Sequence, residues 1–206
     1  MSEWSLFRLA AVSGVVSAVS IIVGKALMLL PGEQAGEIAD FLSPLFGLGA
    51  IVGVYLFQRS QAGVYGAVAF VVVFVGLAMV TSLDFFGAFI RLELSEELRD
   101  ELLEGTPGLA MAVSALIFLT GVVMFGISLL RSGVYPRPAG WLFIIGFVFV
   151  PLVEVVGETA VALGSILAGI SVLWLSSVLW SGSSRAPASH TDSPAQRNLP
   201  PVPSST

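Results

Sequence analysis

The chain has 206 residues, 56% hydrophobic and 11% charged, with a mean hydropathy of +0.95, whereas a soluble domain is near half apolar and a quarter charged. Lipid is therefore the expected main solvent, and the net charge of −5 argues against nucleic acid as a partner. The chain has no cysteine and a single histidine, His190, which excludes disulfides, thiolate metal sites, iron–sulfur clusters, bis-histidine haem and a histidine-rich zinc site within one chain, so no metal or cofactor is expected.

The first apolar stretch, Leu6 to Leu30, is interrupted only by Arg8 and Lys25 and is too long for a signal-peptide core, so it reads as an uncleaved first span. Pro31-Gly32 stops it, and the acidic stretch PGEQAGEIAD reads as a loop. Phe41 to Phe57 gives a short second span, with Ser43-Pro44 in its first turn, where proline is tolerated. Arg59-Ser60-Gln61 marks a tight turn into a third span from Gly63 to Phe86. The segment RLELSEELRDELLEG follows, with Leu94, Leu98 and Leu102 at i, i+4 spacing among acids, the pattern of an amphipathic surface helix. Thr106-Pro107 starts a fourth span that continues to Leu130, and Arg131 to Pro138 forms the next turn. From Ala139 to Trp180 the chain stays apolar for about twice the length of one span, so it must fold back near Val156-Gly157-Glu158-Thr159 into spans five and six.

The fold class that follows is an all-α, polytopic membrane helical bundle of six transmembrane helices with one short amphipathic extracytoplasmic helix. Residues 1–181 form the transmembrane domain, and 182–206, rich in proline and serine, form a disordered tail. Alternating loops place Arg8, Arg59, Arg131, Arg137, Arg185 and Arg197 on one side, against Lys25, Arg91 and Arg99 on the other. Cytoplasmic loops retain basic residues, so both termini and the tail are expected in the cytoplasm of a cell-membrane protein.

An ionisable group within a span is a functional hypothesis by default, because hydrocarbon solvates it poorly. Counting about 1.5 Å per residue along each span, Glu154, Glu158, Asp84 and Lys25 all fall in the outer leaflet. Glu154 and Glu158 share one helical face if the helix persists through Gly157, and a Lys25 pair with Glu154 or Asp84 would offset part of the burial cost. The four residues form either a structural polar cluster of interfacial anchors or an outward-facing pocket for transport. Ser13, Ser17, Ser20 and Gly24 make one narrow stripe along span one, which reads first as close helix packing and second as a water-filled path.

The turn SLLRSGVYPRPAGWLFIIG combines an arginine, a tyrosine-proline step, a second basic residue and a small-Gly-Trp helix start. Over Gly121 to Gly146, and in span count, the chain resembles small prokaryotic membrane proteins of the six-span domain of unknown function 4386 type. The resemblance implies membrane location and fold class but no activity, and carries over no functional residues.

The span residues offer no nucleophile-plus-base arrangement, so no catalytic residue is assigned and a membrane enzyme is the least favoured class. The first reading is a non-enzymatic accessory, assembly partner or sensor-like module, whose partners are the lipid bilayer and a membrane protein or second copy of the chain. The alternative is a small transporter or channel with an outward-facing acidic vestibule built on Glu154, Glu158, Asp84 and Lys25.

Overall fold

The computed structural model describes residues 3–27, 33–152 and 157–183. Among these residues the fold is all-helical: α1 (Glu3–Leu27), α2 (Glu33–Phe89), a 3-10 turn (Arg91–Glu93), α3 (Glu96–Glu104), α4 (Thr106–Ser132), α5 (Arg137–Val148), a second 3-10 turn (Val150–Leu152) and α6 (Glu158–Ser183). Four helices are long and apolar enough to cross a membrane, and the shorter apolar segment Arg137–Leu152 accompanies them.

At 57 residues α2 would be about 85 Å long if straight. It folds back instead, because Gly63 adopts φ 59°, ψ −161°, a region open to glycine alone. The two arms, residues 33–62 and 64–89, run antiparallel: Phe41 meets Phe85 and Phe89 edge-on, and Tyr55 stacks on Phe70 with centroids 4.4 Å apart. The polar run Arg59-Ser60-Gln61 stays helical, so the turn lies a few residues later than the polarity suggested.

Other boundaries follow local chemistry. Ser95 caps α3, its hydroxyl accepting from the Leu98 amide at 3.4 Å. Proline in the first turn of α4 and of α5 occupies positions where a helix lacks an amide acceptor anyway. Gly133 closes α4 in the left-handed conformation at φ 66°.

The helices pack mainly against their neighbours in sequence. α1 lies on the first arm of α2, the second arm on α4, α4 on α5, and α5 on α6; α6 then returns to α1 and closes a ring of six helical segments. Small residues allow the close approaches. Ser13 donates to the Phe46 carbonyl at 2.7 Å, Ser17 sits against Gly47, and Gly24 lies over Asp40, so the small-residue stripe of α1 packs on the first arm of α2. Phe125, Val122, Leu129, Leu179 and Val73 are fully buried at the other contacts.

The outside of the ring is aliphatic. Leu9, Val12, Val19 and Val23 on α1, Val64, Val68, Val71 and Val75 on α2, and Leu109, Val113 and Leu116 on α4 recur at three- and four-residue spacing and are all exposed. Water would cover so continuous an apolar belt at great cost; it is the surface expected of a membrane-spanning bundle.

Candidate functional site

Within the ring lies a cavity of about 160 Å³, lined by side chains from all six helical segments. Its wall is mostly apolar. Phe118 and Phe125 of α4 and Phe143 and Phe147 of α5 form an aromatic face, with Phe125–Phe143 centroids 5.9 Å apart and Phe143–Phe147 centroids 4.9 Å apart. The hydroxyl-bearing Ser17, Ser43 and Ser165 also line it.

One end is charged. Lys25 in the last turn of α1, Asp40 near the start of α2 and Asp84 near its end all line the cavity. Lys25 Nζ and Asp40 Oδ2 are 2.5 Å apart, and each side chain is about one-fifth exposed. Asp84 lies on the opposing arm, within electrostatic reach of Asp40, Lys25 and Glu37, and makes no hydrogen bond or ion pair among the described residues. Glu37 is itself paired with Arg91, a contact that ties the two ends of α2 together.

Of the residues singled out from sequence, Lys25 and Asp84 are thus brought to one cavity. Among the described residues Lys25 pairs with Asp40, which the acidic stretch conceals: residues 33–40 are helical rather than loop, so Asp40 stands on the same face as Ser43, Pro44 and Gly47 and points inward. Glu154 lies outside the described residues. The shared face of Glu154 and Glu158 is conditional on a helix running through Gly157, and Gly157, at φ 79°, is not helical; Glu158 begins α6. The segment expected to form a tail, 182–206 with His190, also falls outside the described residues, apart from Gly182 and Ser183, which still belong to α6.

Val54 lines the cavity away from its charged end. The Tyr135 hydroxyl donates to the Val54 carbonyl at 3.2 Å, and burial pushes its phenol above the usual range, which keeps it a neutral donor. One turn beyond Val54, Gln58 is fully buried, and neither end of its amide has a partner among the described residues. Gln58 continues the inward stripe formed by Asp40, Gly47, Ile51 and Val54, a 3.6-residue period that could have identified it.

No family model matches the chain, and no curated protein or solved structure matches it either. Among the described residues no group of acids and histidine could hold a metal ion.

The ion pair can be weighed directly. Lys25→Ala leaves Asp40 in a poorly solvated setting and is expected to cost about 2 kcal/mol, less than a fully buried pair because both side chains retain some exposure. Lys25→Met with Asp40→Leu should recover most of that loss. Thermal unfolding of Lys25→Met, Asp40→Leu and the double variant closes the cycle; a double variant as unstable as the sum of these singles would mean that the pair does not couple.

Proposed function

We propose that this chain is a six-span carrier of the cell membrane, with both termini cytoplasmic and a solute-binding chamber on the axis of the helix ring. One observation carries the reading: the cavity takes lining from all six segments of the ring and gathers charged side chains from three of them. A bundle needed only as a scaffold fills its axis with interlocking side chains, and ionisable residues facing inward from spans mark solute or ion pathways. A concave, mostly apolar chamber with a few converging polar groups is the usual form of a small-molecule site.

The six crossings are supported by the fold-back of α2 at Gly63 and by α5 with its trailing 3-10 turn, which together add two segments to the four long apolar helices. Basic residues then place the Gly63 and Gly133 turns in the cytoplasm, and α3 and the charged end of the cavity outside. Reporter fusions before Trp4 and after Gly182 should both report cytoplasm. An extracytoplasmic signal from either would refute the crossing count or its orientation.

Proteoliposomes containing a pH- or voltage-sensitive dye test the carrier reading itself. Addition of a panel of small organic solutes should give protein-dependent signals for at least one of them. A flat response across the panel in correctly oriented, monodisperse protein would return the chain to the accessory or assembly role. That role rests on α3, whose acids and half-exposed Leu98 offer a surface for another membrane protein or a second copy.

A further inference from the structure

The chemistry of the chamber specifies the class of solute, and the inference rests on the chamber being a binding site. At its charged end Lys25 is balanced by Asp40, and Glu37 is engaged by Arg91, which leaves the Asp84 carboxylate without an ion-pair partner among the described residues. An anion would be repelled there, and a neutral apolar solute would strip water from the carboxylate without replacing it. A cation would satisfy it.

Beyond the charged end the wall is aromatic, formed by Phe118, Phe125, Phe143 and Phe147. Such faces accept an apolar body and also attract positive charge through their quadrupoles. Size sets the upper bound. The cavity's 160 Å³ is close to the roughly 150 Å³ apolar cavity known to hold one benzene, so one ring or a short alkyl chain fits, with the head group extending into the charged end.

We propose that the chamber binds an amphipathic organic monocation, its ammonium group on the Asp84 carboxylate and its apolar body against the phenylalanine face. Asp84 is then the specificity-determining residue, and the Lys25–Asp40 pair is the electrically neutral rim beside it.

Three probes of nearly equal shape decide the matter: phenethylammonium, 2-phenylethanol and phenylacetate, titrated calorimetrically into the full chain in neutral-lipid nanodiscs with empty nanodiscs as baseline. Phenethylammonium should bind at least tenfold more tightly than the alcohol, and phenylacetate more weakly than either. Asp84→Asn should bring the cation down to the alcohol's affinity and leave the alcohol unchanged, which also certifies the variant's fold; Asp84→Glu should keep the preference. Equal binding of cation and alcohol by the wild type, or a cation preference that survives Asp84→Asn, overturns the charge assignment while the chamber reading stands. No binding by any probe overturns both. The wild-type comparison needs no variant, so an unstable Asp84→Asn would not remove the test.

Discussion

Gly121→Leu is expected to abolish the folded bundle. A Cβ at Gly121 would lie 2.5 Å from the Val73 Cα and 2.6 Å from its amide nitrogen, so the obstruction is backbone rather than a side chain able to swing away. Gly76 makes the reciprocal approach on the same helix pair, where a Cβ would sit 2.6 Å from the Phe118 Cα. The second arm of α2 and α4 are therefore in backbone contact over more than a turn, and van der Waals packing of this kind is the main force between helices in lipid. Even Gly121→Ala must push the helices apart, at about 1–3 kcal/mol by the usual cost of overpacking. Leucine at the same place adds three more carbons to the clash, a loss comparable to the whole stability of a small domain, about 5–15 kcal/mol. Size-exclusion chromatography of detergent extracts should show aggregated Gly121→Leu and a monodisperse but less heat-resistant Gly121→Ala. A Gly121→Leu variant as heat-stable as the wild type would mean that these helices do not approach as described.

Leu77→Trp should remove solute binding while leaving the fold intact. Leu77 lines the chamber from the second arm of α2 and is nearly buried. The indole occupies the room in which the solute body would lie, and because it fills space rather than creating it the bundle loses few contacts. Affinity for any chamber ligand should fall at least about 100-fold, equivalent to about 2.7 kcal/mol, with the unfolding temperature close to that of the wild type. Undiminished binding of phenethylammonium or 2-phenylethanol by this variant would place their site elsewhere.

Much of the architecture is legible in the residues because lipid imposes one simple rule: long apolar runs become helices, and the punctuation between them becomes turns. Lys25 and Asp84 can be picked out in the same way, as charges inside apolar runs. Asp40 could not. It belongs to a stretch whose acids resemble a solvated loop, yet Ala35, Glu37, Ile38 and Ala39 are compatible with helix, and acids are favoured near a helix N-terminus. Gln58 was overlooked for a related reason. It abuts Arg59-Ser60-Gln61, where polarity alone marks the end of a helix, whereas the break needs the positive φ of Gly63. The cavity itself leaves no one-dimensional trace, since its wall is assembled from six segments whose inward faces are as apolar as their outward ones.

The order of the ring has a consequence for biogenesis. Each helix meets the one synthesised before it, so antiparallel hairpins can pair as they leave the insertion machinery, with short loops and little entropic cost of closure. The contact of α6 with α1 is the exception, bridging opposite ends of the chain. Until α6 arrives, the ring is an open crescent. The Lys25 side of α1 and the Phe143 side of α5 then border a gap in the wall, open to lipid or to assisting proteins. Nascent chains stalled before α6 should therefore be the species that quality-control proteases remove, and α6 is the helix that turns a row of helices into a vessel.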